Sequence, residues 1–442
     1  MKTRTYPSSG APLRRRGARL AAGGALTVTL LASICVAQIG FGTDFVIGGA
    51  PGVVISTDGY LHVRETDGQG DLAAIRRRAR DAAEAGKHEN VAYVSLRSLL
   101  QEARSAEQSG KPVPDDVKYL HGLTQLRYVF VYPHEKDLVL GGPAEPWVAK
   151  ETSVTGKRSG RPMLQLDDFV VALRDSQTNR GRAFGCGIYP SPESLNIAHD
   201  IATRMASRPR AERKKALEEA LGPQEVRVFG TQADTRVALV CVAADYKLKR
   251  LALGLDVLPT VPVGNGVDNS RSAANKYWFE ASFDPLLVSR DGNAYGIRGQ
   301  RLATKAGMFD FDPRGATEKA KMFATKLSGQ MPALAIALPV VADLQNIADW
   351  SMLVSLIRHD QLDRKAGLGL GWLMDESAYR VAHVPAPKTA QTLVTFTNGS
   401  MAAGGVTISP EPYLTDAARA VDSTNALEDL RHHAQTYATA QR

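Results

Sequence analysis

"EVRVFGTQADTRVALVCVAADYKLKRLALG", residues 225–254, runs a strand directly into a helix. "EVRVFG" reads as the strand. From Ala233 onward Val237, Val240, Cys241, Ala244, Leu248 and Leu251 fall on one face at helical spacing, and Gly254 ends the helix. Asp245 and Lys249 stand four apart, as a surface ion pair worth ~0.3–0.5 kcal/mol would require. The same acid, with Tyr246 and Lys249, could instead serve proton transfer if burial perturbed them. The basic residues near the helix end suit its negative pole. Cys241 packs as a small apolar residue or pairs with Cys186 in an oxidising compartment.

Upstream, "RAFGCGIYPSPESLNIAHDIATRMAS" reads as strand, turn and helix, with Ser191 as cap and Pro192 at the first helical position. A charged helix follows from Arg210 to Leu221. Before these, "LDDFVVALRDS" is a short helix with Asp167 or Asp168 as its cap. "YVFVYPHEKDLVLGGPAEPW", residues 128–147, is a hairpin whose strand alternates Tyr128, Phe130 and Tyr132 against Val129 and Val131. His134 to Asp137 form its polar turn, and the Gly-Gly-Pro break projects Glu145 and Trp147 into a loop. An acid beside a tryptophan suits a sugar-binding loop; the alternative is that Trp147 folds back onto the core. Nearer the start, "GVVISTDGYLHVRE" is a hairpin about Asp58-Gly59, and helices are expected over residues 71–86 and 95–106.

Downstream, residues 256–274 are rich in Pro, Gly, Asn and Ser and read as a linker. A meander follows from Lys276, then helices over 316–329 and 342–360 and a last β-like segment. The pattern implies an α+β fold, a mixed sheet packed with helices followed by a smaller meander and helical portion. The organisation expected is a leader over 1–37, an α/β portion over 38–257, a second portion over 258–412 and a polar tail over 413–442.

The chain has 442 residues and a net charge of +8, but six basic residues and no acid lie in the first 37. Only +2 remains beyond them, which is no electrostatic footprint for nucleic acid. That basic start, the uncharged run from Leu20 and the small residues before Gln38 make an export signal. The alternative is an uncleaved anchor, since residues 20–43 suffice to cross a bilayer at ~20 residues. The protein is thus expected in the periplasm or cell envelope, touching membrane only through that segment.

No complete catalytic signature emerges. His88-Glu89 and His134-Glu135 each lack the second histidine of a zinc-protease helix, and the two cysteines beyond the leader lack zinc spacing. Gly156 to Gly160 sets its serine one place too late for a nucleophile elbow. Asp310-Phe311-Asp312 reads as a turn, without the other ligands of a calcium loop. No cofactor or metal is expected, and the partner is unknown.

Five phrases together, "YLHGLTQLRYVFVYPHEKDLVLGGPAEPW", "GRPMLQLDDFVVALRD", "EVRVFGTQADTRVALVCVAADYKLKRLALGL", "YWFEASFDPLLVSRDG" and "GGVTISP", resemble the domain-of-unknown-function family numbered 1598. The resemblance implies an extracytoplasmic bacterial protein with no established activity to carry over. Asp137, Gly142, Pro143, Asp168, Asp245, Tyr246 and Lys249 fall at the family's recurring motif positions, and "GCGIYP" departs from its usual turn. The expected function is a non-catalytic binding or scaffold protein of the envelope, with Glu145, Trp147, Asp168, Asp245, Tyr246 and Lys249 as candidate binding residues. The alternative is a glycosidase-like hydrolase assembling Glu145, Asp168 and Asp245 from separated motifs.

Overall fold

In the computed structural model, residues 45–46, 50, 52–63, 73, 76–77, 91–150, 153–179, 182–258, 260–263, 276–394 and 404–440 are described. The leader lies outside them, as does the 71–86 helix apart from Ala73, Arg76 and Arg77, which are helical.

Two mixed sheets draw strands from both ends of the chain, in an α+β arrangement. The larger runs in space Phe45–Val46, Val53–Ile55, Tyr60–Val63, Thr389–Ala390, Gln224–Phe229, Phe184–Tyr189, Gly405–Ile408, Lys276–Ser282 and Arg301–Gly307. The smaller runs Arg419–Val421, Leu286–Val288, Ala294–Gly296, Tyr128–Tyr132, Asp137–Pro143 and Val91–Ser95. The boundary expected near Val257 therefore separates no sheet from another. The meander strand Ala294–Gly296 pairs with Tyr128–Tyr132, and Gly405–Ile408 pairs with Phe184–Tyr189. Loop composition marks where a chain turns; it cannot show that the strands beyond return to complete an earlier sheet.

The alternation in Tyr128–Tyr132 sorts two cores. Val129 and Val131 join the main one, while Phe130 and Tyr132 sit with Leu427 and Ala434 beneath the helix Ala426–Ala440. That helix, with the strand Arg419–Val421, occupies the segment read as a polar tail. The turn after Tyr132 is as expected, but Asp137 is buried. Its carboxylate accepts from Ser95 Oγ at 2.6 Å and Arg97 N at 3.0 Å, fixing the corner where Val91–Ser95 passes into the helix Leu96–Gln108.

The helix Pro339–Asp360 is apolar enough and, at 22 residues, long enough to cross a membrane, yet it is buried among other elements of the chain. Its polar side chains reach partners on those neighbours. Asp349 takes Arg301 Nε at 2.9 Å and Leu126 N at 3.2 Å, Gln345 accepts from Arg161 at 3.1 Å, and Asn346 donates to Pro162 O at 3.2 Å. Burial opposes ionisation of Asp349 and raises its pKa, with Arg301 pulling the other way. The helix Arg236–Ala252 is likewise buried nearly all round, between this helix and the larger sheet. The Asp245–Lys249 pair expected at the surface is thus internal, at 2.6 Å, and Lys249 also donates to Gly404 O at 2.7 Å. One apolar stripe in a sequence cannot reveal that the opposite face will be covered too.

Cys186 and Cys241 are both free and buried. The glycines flanking Cys186 have a packing role: a Cβ at Gly185 would stand 1.9 Å from Val406 O in the neighbouring strand. Gly185→Ala should therefore wedge that strand pair apart and lower unfolding free energy by about 1–3 kcal/mol, measurable by urea denaturation.

Candidate functional site

The helix Leu166–Thr178 positions the site through both of its ends. Gln165 is its N-cap residue, not Asp167 or Asp168 as expected, because both acids in the first turn face other elements. Asp167 accepts from Tyr379 Oη at 2.8 Å and Ala382 N at 3.1 Å. Asp168 accepts from the guanidinium of Arg236, which also donates to Asp343 on the helix Pro339–Asp360. The Gln165 amide oxygen, in the orientation that satisfies both its polar ends, takes Arg236 Nε at 3.0 Å. Burial raises the pKa of Asp168, against the pull of Arg236 and with the push of Asp343. Burial also works against the arginine's charge, but the two carboxylates hold it firmly protonated.

At the other end of helix 166–178 the surface opens. Arg174 donates to Leu373 O at 2.9 Å and Tyr379 O at 2.7 Å, tying the segment around Met374 to the helix. Opposite stands the loop that joins "EVRVFG" to its helix. Gly230 has φ of +71°, and a Cβ there would meet Ala183 O at 2.6 Å, so glycine alone fits. Asn179 Nδ2 donates to Arg182 O at 3.0 Å and Ala183 O at 3.2 Å. Thr235 caps the following helix, accepting from Ala238 N at 3.3 Å and donating to Gln232 O at 2.7 Å.

These walls enclose a cavity of about 570 Å³, lined by Asp175, Thr231, Gln232 and Glu376 around Val171 and Met374. Asp175 is its chemically distinctive group. Burial pushes its carboxyl up to about 6, while the facing Thr231 hydroxyl favours the ionised form. Asp175 Oδ2 and Thr231 Oγ1 are both shielded, and neither is in hydrogen-bond geometry with a partner. A second cavity, of about 600 Å³, shares Gln177 and Met374 with the first and adds Arg358 and Arg364. A third, of about 410 Å³, shares Ser176 and Arg358 with the second and adds His359, Glu411 and Thr415. The shared walls make one trough over the last turn of helix 166–178. Each section has the size of a small-ligand site.

None of the six residues singled out from sequence lines this trough. Glu145 accepts from Arg158 N at 2.7 Å and from the amide and hydroxyl of Ser159, so the Gly156–Gly160 turn is a carboxylate clasp. Trp147 packs edge-to-face on Tyr119 with centroids 5.0 Å apart. Asp168 is held by Arg236, and Asp245 by Lys249. Tyr246 is fully buried, its hydroxyl beside Arg250. Sequence reasoning missed Asp175, though a signal existed: an acid in the last turn faces the helix's negative pole, a costly place for structure alone.

Residues 186–265 match the family described as "Protein of unknown function (DUF1598)", the same family that the sequence phrases resemble. The matched range contains the whole Gly230–Thr235 wall of the first cavity. No curated protein and no solved structure matches the chain.

Removing the arginine would leave two buried carboxylates face to face. Arg236→Met should cost about 3–5 kcal/mol in urea denaturation, and Asp168→Asn less. For Asp175 the folded pKa, about 6, exceeds the ordinary 3.8, so the fold favours its neutral form. That stabilisation is complete below the ordinary value and is lost as pH rises through about 6. Asp175→Asn should flatten the decline of urea midpoint across this window, and at pH near ~7.5 be the more stable by at most about 3 kcal/mol.

Proposed function

We propose that this chain is a non-catalytic binding protein exported to the cell envelope, and that the trough is its binding surface. One observation carries the reading: the carboxylates a hydrolase would have drawn from the sequence motifs are each engaged elsewhere. Glu145 is clasped by a turn, Asp168 by Arg236 and Asp245 by Lys249, and none reaches the trough. The trough itself offers hydrogen-bonding side chains over an apolar floor, and the group beside its shielded carboxyl is the hydroxyl of Thr231, with no serine, cysteine or histidine among the residues lining that section. Such a surface recognises and holds. Export rests on the basic, then uncharged, leader and on the small residues that end at Ala37.

Expression with and without residues 1–37, followed by cell fractionation and N-terminal sequencing, should place a chain beginning at Gln38 outside the cytoplasm. A cytoplasmic chain retaining Met1 would defeat the export claim. The mature chain should turn over none of a panel of glycoside, ester and peptide substrates. Turnover that disappears in Asp175→Asn or Glu145→Gln would instead establish an enzyme.

A further inference from the structure

We infer that the trough binds an extended peptide bearing an acidic side chain, with that carboxylate seated on Arg358. The inference rests on the binding reading above and adds the ligand's class and orientation.

The first consideration is length. Three sections joined through Gln177 and Met374, then through Ser176 and Arg358, suit a ligand that runs along the surface better than one compact molecule. The second is the character of the lining. No phenylalanine, tyrosine or tryptophan borders any of the three sections, and the imidazole of His359 is engaged by Asp360 at 2.6 Å and Arg419 at 3.0 Å, so no large ring offers a stacking platform for a sugar or a nucleobase. Gln177, Gln232 and Gln361 instead provide amide donors and acceptors along the path, matched to the repeating N–H and C=O groups of a peptide.

The third consideration is charge. Arg358 borders both the second and third sections and is exposed, and its guanidinium makes no hydrogen bond or ion pair with any described residue. Arg364 beside it donates one N–H to Gln361 Oε1 at 3.3 Å and has others to offer. Asp360, the acid next along the helix, is held by Arg419 at 2.8 Å and by His359 at 2.6 Å. The middle of the trough thus presents a guanidinium whose planar fork matches a carboxylate. The middle section sets two guanidinium groups, Arg358 and Arg364, against one carboxylate, Asp363, whereas the first section has Asp175 and Glu376 against an Arg174 already tied to Leu373 O and Tyr379 O, and the third adds Glu411. A ligand with one acidic residue at its centre and neutral or basic flanks complements that order.

The test uses the mature full-length chain and fluorescein-labelled decapeptide pools, random except for a central Glu, Gln or Lys, read by fluorescence anisotropy. The Glu pool should bind at least ~10-fold more tightly than the Gln pool, a charge-assisted contact against a neutral one, and the Lys pool least. Arg358→Ala should abolish the preference. Arg358→Glu should reverse it toward the Lys pool, with circular dichroism confirming the fold of this exposed variant. Equal binding of all pools, or a preference unchanged in Arg358→Glu, overturns the inference. Should the pools fail while a labelled oligogalacturonate binds and is lost in Arg358→Ala, the peptide class falls and the binding reading stands. If neither probe binds and the substrate panel is turned over, both fall.

Discussion

A single guanidinium holds three helices to one another. Arg236 opens the helix Arg236–Ala252 and donates to Asp168 on helix 166–178 and to Asp343 on helix 339–360. Two carboxylates around one cation are unfavourable to bury, and they persist because the geometry satisfies both at once. The constraint is directional: apolar packing alone would let these helices slide, whereas a planar fork between two acids sets their rotation and register. Hydrophobic contact supplies attraction here, and the charges select the arrangement.

Helix 339–360 extends the same logic along its length. Asp343, Gln345, Asn346, Asp349 and Asp360 punctuate an apolar helix and meet partners on four neighbouring segments, at Arg236, at Arg161 and Pro162, at Arg301 and at Arg419. The helix is thereby both a hydrophobic axis and a row of specific attachments. The trough lies at the rim of this assembly: helix 166–178 is fixed by its first turn and Arg174, leaving its last turn to form a wall. Rigid support beneath an open polar surface is the arrangement that keeps binding groups in place without a closing lid.

Much of the local structure was legible in the chain. The Ser191 cap with Pro192, the Asp58-Gly59 hairpin, the turn after Tyr132 and the helix ending at Gly254 all depend on neighbours within a few residues, and they stand where those neighbours place them. Trp147, weighed between a sugar-binding role and packing on the core, is half-buried and stands edge-to-face against Tyr119. Asp175 carried only the signal of an acid in a helix's last turn, because what sets it apart further is shielding by Thr231 and by elements far along the chain.

The sequence by itself determined the α+β class, the resemblance to a family without assigned activity, and the spacing that sets Asp245 opposite Lys249. The class and the spacing follow from periodicity and local hydrogen bonding, which act over one or two helical turns, and the resemblance rests on the five phrases themselves. Tertiary structure alone decided that this pair is buried, that strands from both halves share both large sheets, that Asp168 meets Arg236 rather than capping its own helix, and that Glu145, Asp168 and Asp245 each meet a different partner. Burial and long-range pairing depend on what comes to lie opposite each residue, and a charge acquires its role only once water has been replaced by a particular partner.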